Sequence, residues 1–279
     1  MKVRILASTA LALLALASCG TQANLSGYNW KTDLIDGHRT GVKGPSKGDY
    51  PETVGKMDGA SYVSPNGRTF GGSTAEVAEI VLDAQPVMDE LVREVIGTCQ
   101  DGLRTRYPQG ELSNLAVDVV TDAARKHWGE VDLGVLNFGG IRVSLPQGPI
   151  LKDDIVSMFP FHNKLALVTV KGDQLRKTLV RNFEFNVQPM NGVKVVMKDG
   201  KVESLLVGGK EIEDGRIYKM VTVDFLLENG DNMHLADGAE NVEISDLDPQ
   251  VIMIDYISDL YSRGESVKGY LDDRVTIKW

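Results

Sequence analysis

The chain has 279 residues, of which 42% are hydrophobic and 25% are charged, proportions typical of a globular protein with one large domain or two small ones. Its 39 acidic residues outnumber its 30 basic residues, so the formal net charge at pH 7 is −9. Such a charge argues against DNA, RNA or anionic lipid headgroups as broad electrostatic partners, but it allows one small anion held by a single arginine.

The first residues predict an export signal rather than part of the fold. Lys2 and Arg4 precede an apolar run from Ile5 to Ala17, which is too short to span a bilayer. The run ends in Leu-Ala-Ser-Cys-Gly, which resembles the lipobox of bacterial lipoproteins, where acylation follows cleavage just before the cysteine. Residues 1–18 are therefore expected to be a lipoprotein signal peptide, and Cys19 the lipidation site that anchors an exported chain to a bacterial membrane, in the periplasm or at the cell surface.

An ordinary signal peptide with a chance cysteine is the alternative. Cleavage before Cys19 would leave 28 basic against 39 acidic residues, because Lys2 and Arg4 are removed, and the net charge would become about −11. Lipidation would also leave Cys99 without an intrachain partner. We therefore expect no disulfide framework, and we interpret Cys99 as a small core residue.

Residues 19–72 and 73–279 differ in composition and in the periodicity of their apolar residues. The first segment is rich in Gly, Ser, Asn, Asp and Lys, so it is interpreted as a tether and a loosely structured arm. The second is expected to be the folded domain. Its opening tetrapeptide, Ser73-Thr74-Ala75-Glu76, resembles a capping box. Pro86 should interrupt the helix that follows, whose apolar residues are Val77, Ile80, Val81, Ala84, Val87, Met88, Leu91 and Ile96.

Later segments predict alternating helices and strands. The clearest helical pattern comes after a strand-like segment at Val95–Leu103, and it comprises Leu112, Leu115, Ala116, Val119, Val120 and Ala123. Further elements are a strand at Lys164–Val170, a helix from Gly172, a hairpin of Val193–Met197 with Val202–Val207, a strand at Tyr218–Val223, a helix at about Asp248–Arg263 and a strand at Arg274–Lys278. The predicted fold class is α+β, with a mixed β-sheet, interspersed helices and hairpins.

Two polar and aromatic clusters stand out as a candidate binding site. The first runs from Asn137-Phe138-Gly139-Gly140-Ile141-Arg142 to Pro160-Phe161-His162-Asn163, and the second from Asp224-Phe225 to Gly230-Asp231. Two glycines after a buried strand allow the backbone to turn sharply and to lie close to another group. An asparagine and an arginine for polar groups, with phenylalanines to sandwich a flat ring, suit a nucleotide or nucleoside.

No catalytic centre is evident in the residues themselves. The four histidines do not pair at metal-ligand spacing, and the one ligand-like fragment, Asp36-Gly37-His38, lies in the predicted arm. A two-metal hydrolase needs converging Asp, His and Asn ligands around two ions about 3.5–4 Å apart. Nucleophile elbows, Cys–His pairs and phosphate-binding glycine loops are also missing from the sequence. We therefore expect no catalytic residue and no metal site in this chain.

The two clusters resemble the carboxy-terminal, substrate-binding domain of the 5′-nucleotidase family. The matching motifs are Asn137 to Arg142, Pro160-Phe161-His162-Asn163 and Phe225 to Asp231, and the helix from Glu111 is similar as well. The resemblance extends from about Val95 to the last residue. It implies that the metals belong to a separate metallophosphoesterase domain, absent here, so a partner chain is expected to supply them.

The resemblance also implies the roles of individual residues. Phe161 and Phe225 would stack on the two faces of the nucleobase, Asp231 would bind the ribose hydroxyls, and Asn137 and Arg142 would contact base, ribose or phosphate. The expected substrate-binding set is completed by Gly139, Gly140 and Asn163. Six of these residues also have a structural interpretation when taken singly: Phe161 and Phe225 as core residues, Arg142 as part of an ion pair, Asp231 as a turn cap, and Gly139 and Gly140 as residues that only serve the turn. His162 receives no role.

Some residues depart from the family pattern. Phe138 stands where a small residue is usual, and Asn229 and Asn232 replace glycines around Asp231. An arginine common near the upstream helix has no clear counterpart, because neither Arg104 nor Arg106 can be placed there from sequence.

Three functions remain open at this level. The first is the nucleotide-binding half of a split 5′-nucleotidase, which hydrolyses phosphoric monoesters with metals and water held by another chain. The second is a nucleoside-binding lipoprotein without a hydrolase partner, and the third is a structural lipoprotein with a decayed site. The sequence does not specify the base, the phosphorylated form of the ligand, the membrane, the permanence of a partner or the oligomeric state.

Overall fold

The computed structural model of the protein describes residues 50–278, so the predicted signal peptide, Cys19 and most of the predicted arm lie outside the described residues. In this part of the chain the helices are α1 (Tyr50–Thr53), α2 (Ser73–Asp83), α3 (Gln85–Leu91), α4 (Glu111–Trp128), α5 (Lys152–Met158), α6 (Gly172–Phe185) and α7 (Pro249–Ser262). None of them is both long and apolar enough to cross a membrane.

The strands of residues 50–278 form four sheets. The bounds are β1 (Lys56–Asp58), β2 (Ser61–Val63), β3 (Thr69–Phe70), β4 (Val95–Cys99), β5 (Leu133–Val135), β6 (Gly148–Leu151), β7 (Leu165–Lys171), β8 (Met190–Asn191), β9 (Val193–Lys198), β10 (Lys201–Val207), β11 (Lys210–Glu211), β12 (Ile217–Val223), β13 (Ala239–Ile244) and β14 (Val275–Lys278). Their orders are β1-β2-β3, β4-β6, β11-β10-β9-β14 and β13-β7-β12-β5-β8. The two larger sheets mix parallel and antiparallel pairs, which confirms the α+β prediction with a mixed sheet.

Most predicted elements are confirmed within a residue or two, and four expectations need correction. Ile96, counted with the helix around Pro86, lies in β4, because α3 ends at Leu91. Ser73 does not cap its helix: it is the first helical residue, Gly72 is the N-cap, and no side chain bonds to the cap. The strand from Val95 ends at Cys99 rather than Leu103. Residues 56–70, expected to be loosely structured, form the β1–β3 sheet, in which the Tyr62 and Phe70 rings stack with centroids 6.2 Å apart. Strands of two or three residues are too short to show a period in sequence.

Helix α4 lies between the two hydrophobic cores. Val117, Val120 and Ala124 belong to a core shared with the five-stranded sheet and α6. Leu112 and Leu115 belong to a second core, with β4, β6, α5 and α7. Eleven of the 18 residues of α4 are buried, so the helix is enclosed on more sides than the single predicted stripe indicates. Cys99, as predicted, is a buried core residue with a free thiol, and burial raises its pKa.

A buried ion pair joins α4 to Arg274, the residue just before the last strand. The Arg274 guanidinium bonds both carboxylate oxygens of Asp118, at 3.0 and 2.9 Å, and both side chains are at most 12% exposed. Asn191 donates to the same carboxylate at 2.6 Å. The Tyr270 hydroxyl donates to it too, and partial burial together with this bond raises the pKa of Tyr270 to about 12. The bond from Arg274 to Asp272 lowers the pKa of that carboxyl.

We expect Arg274→Ala to lower the free energy of unfolding by about 3–5 kcal/mol, because it leaves the buried Asp118 carboxylate without its cation. Urea unfolding measures the change. The matched control is Lys177→Ala, which breaks an exposed pair with Asp173 and should cost less than about 1 kcal/mol. Equal losses in the two variants would contradict the structural role of the pair.

Candidate functional site

The order of the five-stranded sheet gathers the predicted site residues at one edge. Strands β5 and β12 are neighbours and run parallel, so the segments that follow them, from Asn137 and from Asp224, leave the sheet at the same end. Strand β7 runs antiparallel to β12, with Leu165 opposite Val223. The segment just before β7, Phe161 to Asn163, therefore starts from this edge as well.

A hydrogen bond links the first two segments directly. The buried Asn137 donates from Nδ2 to Oδ2 of Asp231 at 2.6 Å. Asp231 lies in a short 3₁₀ turn, Gly230–Asn232, with a left-handed φ of 47°, a conformation that aspartate adopts more readily than most residues. Two residues 94 positions apart in the chain thus hold each other in place.

The glycine pair leaves room for this contact. Gly139 and Gly140 belong to a 3₁₀ turn that starts after Asn137. A Cβ atom on Gly140 would lie 2.7 Å from Oδ1 of Asn137, and one on Gly139 would lie 3.2 Å from Oδ2 of Asp231. A residue with a side chain at position 140 would therefore displace Asn137. The contact with Asn137 restricts position 140 to glycine more strictly than the turn does.

Arg142 and Phe161 lie next to each other at the surface. The guanidinium carbon of Arg142 is 5.8 Å from the centroid of the Phe161 ring, within the range of a cation–π contact. Nη1 of Arg142 donates to the Gly139 carbonyl at 3.2 Å. Among the described residues no carboxylate pairs with Arg142, so the structure does not bear out the alternative of a structural ion pair. Its remaining N–H groups are available to a ligand.

The two predicted stacking rings are both half-exposed. Phe161 is 56% exposed and Phe225 is 50% exposed, so neither is a core residue. Phe225 lies in the 3₁₀ turn Asp224–Leu226 that follows β12, and its carbonyl would be 1.9 Å from a Cβ on Gly230. This close approach fixes the loop that carries both Phe225 and Asp231.

His162 is the site residue that sequence reasoning missed. It has a left-handed φ of 52°, and its Nδ1 lies 3.1 Å from Oδ2 of Asp248. Asp248 is itself buried and caps α7 by accepting from the Gln250 backbone N–H at 2.8 Å. The contact ties the Phe161 segment to α7. No sequence signal pairs two residues that are 86 positions apart, although the turn context of Pro-Phe-His-Asn was visible.

Small clefts accompany these side chains, and a larger cavity lies elsewhere. Gly140 and Asn163 line two clefts of about 20 Å³ each, one beside Phe161 and the other beside Asn137. Arg104 and Arg106 instead line a separate cavity of about 380 Å³, together with Lys268 and Glu111. The two arginines that could not be placed from sequence are thus not part of either cleft.

Residues 50–278 contain no group of three or more His, Cys, Asp or Glu side chains that could hold a metal ion. The ligand-like Asp36-Gly37-His38 fragment lies outside the described residues. The described site therefore offers stacking surfaces, a carboxylate and a guanidinium, which are groups that bind and orient a ligand.

Comparison with known protein families shows which family the chain belongs to. The family described as 5′-nucleotidase, C-terminal domain matches residues 95–237, about half of the chain, including every predicted substrate-binding residue. The chain belongs to the 5′-nucleotidase C-terminal domain family. The resemblance found in the motifs is thereby confirmed.

Curated relatives of this family member are longer proteins. Cell wall protein Lmo0130 of Listeria monocytogenes is 23% identical over 288 residues, which cover 91% of this chain and 36% of that protein. Protein UshA of Escherichia coli K12 is 26% identical over 135 residues, or 46% of this chain and 23% of UshA. The chain therefore spans about a third or less of the curated relatives it matches.

Solved structures share the fold of this family member. The 5′-nucleotidase precursor of Thermus thermophilus superimposes with a TM-score of 0.62 at 22% identity, over 73% of this chain and 43% of that one. The NAD nucleotidase of Haemophilus influenzae gives a TM-score of 0.56 at 14% identity, over 78% and 48%. The matches establish the C-terminal domain fold.

Gly140→Ala should lower the free energy of unfolding by about 1–3 kcal/mol, because the new methyl group overlaps the buried Asn137 carboxamide and strains its bond to Asp231. Urea unfolding measures the loss. Gly215→Ala is the matched control, since a Cβ there has no described neighbour within 4 Å. If both variants were as stable as the parent, Asn137 would not need the space beside Gly140.

Proposed function

We propose that this chain is the nucleotide-binding half of a split 5′-nucleotidase, and that a separate metallophosphoesterase chain completes the enzyme. The observation that carries the proposal is the convergence at one sheet edge of two half-exposed phenylalanines, an arginine without a carboxylate partner among the described residues and an aspartate held by Asn137. Family membership agrees with a nucleotide ligand.

Each group has a role in holding a nucleotide. Phe161 and Phe225 stack on the base, a contact worth about 1–3 kcal/mol per base. Asp231 uses Oδ2 for Asn137 and offers Oδ1 to the ribose hydroxyls as a charge-assisted acceptor. Arg142, held by its bond to the Gly139 carbonyl, binds phosphate or ribose oxygen, and Asn137, Gly140 and Asn163 line the cleft beside these groups.

The reaction is hydrolysis of a phosphoric monoester. Divalent metals held by the partner chain would supply the activation of a water molecule for attack on phosphorus. The P–O bond to the nucleoside breaks, and the nucleoside leaves as its alcohol with the proton that the attacking water gives up. This chain contributes by orientation: it fixes base and ribose so that the phosphate reaches the partner's metals.

Export and lipid anchoring at Cys19 belong to the same proposal. The Leu-Ala-Ser-Cys-Gly motif supports lipidation, and the name of the relative Lmo0130, a cell wall protein, supports export. A lipid anchor would hold the chain at the membrane surface where its partner acts.

We expect Phe161→Ala and Phe225→Ala each to weaken adenosine binding about 5- to 150-fold, the equivalent of one lost stacking contact. Isothermal titration calorimetry on the chain begun after Gly20 measures the affinity. Phe185→Ala is the matched control, because Phe185 is 78% exposed but lies at the end of α6, outside the site. Unchanged affinity in both site variants would rule out the stacking role.

Phosphate release from AMP distinguishes a binding half from a complete enzyme. The purified chain, supplied in turn with Mn²⁺, Zn²⁺ and Mg²⁺, should release no phosphate, because the metal-binding groups belong to the partner. Turnover that persists through repurification and is abolished by Asp231→Asn would show a metal site in this chain. Tight adenosine binding with no hydrolase partner would favour the nucleoside-binding lipoprotein instead.

A further inference from the structure

The backbone around Asp231 has a conformation that its own residues do not favour. Asp231, Asn232 and His234 all have left-handed φ values, of 47°, 58° and 48°. Such values are uncommon in residues other than glycine, and they persist only where the surrounding structure holds them. Residues 228–237, which we call the Asp231 loop, therefore need contacts with the rest of the domain to keep their shape.

Arg181 of helix α6 makes three of these contacts. Its Nη2 donates to the backbone carbonyls of Met233, at 2.9 Å, and of His234, at 3.1 Å. Its Nη1 donates to Oδ2 of Asp237 at 2.8 Å. A guanidinium is planar and carries its N–H donors at fixed angles, so this one side chain fixes three acceptors of the Asp231 loop relative to one another.

The neighbouring Asn182 supports the same part of the loop. Its Nδ2 donates to the Met233 carbonyl at 2.9 Å, and the Asn182 side chain is buried. The side chains of Met233 and Leu235 lie in the core that is shared with α6 and the five-stranded sheet. The far end of the Asp231 loop is thus attached to a helix that is itself packed into the core.

Asp231 is therefore held from two sides. Asn137 bonds Oδ2 of its carboxylate at 2.6 Å, and Arg181 bonds the backbone two and three residues further along the chain. A hydrogen bond weakens steeply when its distance or angle departs from the optimum, so the free Oδ1 meets a ligand hydroxyl well only if the loop keeps its conformation. Arg181 itself lines neither cleft of the site.

We propose that Arg181 is a positioning residue for ribose recognition, which acts by holding the Asp231 loop in its left-handed conformation. This inference rests on the proposed function, in which Asp231 binds the ribose hydroxyls, and adds that the preference for ribose depends on a side chain outside the binding clefts. The exposed ion pair of Arg181 with Asp237 contributes little by itself, so the two bonds to backbone carbonyls carry the effect.

Two nucleosides with the same base test the role of Arg181. Adenosine has both ribose hydroxyls and 2′,3′-dideoxyadenosine has neither, and isothermal titration calorimetry on the full chain, purified in detergent, measures both affinities. We expect the parent chain to bind adenosine at least about tenfold more tightly, because only adenosine bonds the Asp231 carboxylate. Arg181→Ala should lose most of this preference: adenosine binding weakens, whereas dideoxyadenosine binding stays within about twofold of the parent value.

Arg176→Ala is the matched control. Arg176 lies on the same helix, and its side chain is 45% exposed against 46% for Arg181, but it pairs with Asp214 rather than with the Asp231 loop. Both affinities should equal those of the parent chain. A double variant adds a second test: once Asp231→Ala has removed the carboxylate, Arg181→Ala should weaken adenosine binding no further, because Arg181 acts through Asp231.

The affinities of the parent chain separate this inference from the proposed function. If the parent binds no adenosine, or binds both nucleosides alike, the role of Asp231 in the proposed function fails, and the inference fails with it. If the parent prefers adenosine and Arg181→Ala keeps that preference, or weakens both nucleosides equally, only the inference is overturned. Should Arg181→Ala not fold, Arg181→Lys, which keeps the charge but lacks the planar set of donors, is measured with the same expectation.

Discussion

The pairing of β12 with β5 on one side and β7 on the other determines where every candidate binding residue lies. The parallel pair sends Asn137 and Phe225 out of the sheet at the same end, and the antiparallel pair starts β7 there, after Phe161. None of the three loops holds a complete site. Their side chains meet only because three strands, 30 or more residues apart in the chain, occupy neighbouring places in one sheet.

The parts of the fold that could be predicted from sequence are those with a strong local signal. The stripe of α4, the hairpin of β9 and β10 and the Asn-Phe-Gly-Gly and Pro-Phe-His-Asn motifs follow from the spacing and chemistry of adjacent residues. The family resemblance predicted, in addition, that these motifs form one binding site. Strand order was beyond such reasoning, because the pairing of β5 with β12 joins segments about 85 residues apart.

Contacts between distant polar groups were equally hidden. The bond from Asn137 to Asp231 and the contact of His162 with Asp248 depend on where loops meet, and neither residue pair has a sequence pattern. The buried bonds of Arg93 could not be predicted either. Apolar residues at helical spacing predict that a helix turns its apolar side inward, so the opposite side is expected to face solvent. In α2 and α3 the apolar side chains are exposed instead. The exposed fraction of each side chain in the structure therefore distinguishes the residues that stabilise the fold from those that are free to bind.

The position of β14 has a consequence for the timing of folding. This strand pairs with β9 in parallel, residue for residue, across 80 positions of sequence, and the neighbouring Arg274 reaches back to Asp118 in α4. The edge of β9 therefore stays unpaired, and the buried Asp118 carboxylate stays without its cation, until residues 274–278 are available. A chain that has not yet reached β14 is therefore incompletely folded, even when every other strand of the two larger sheets has been made.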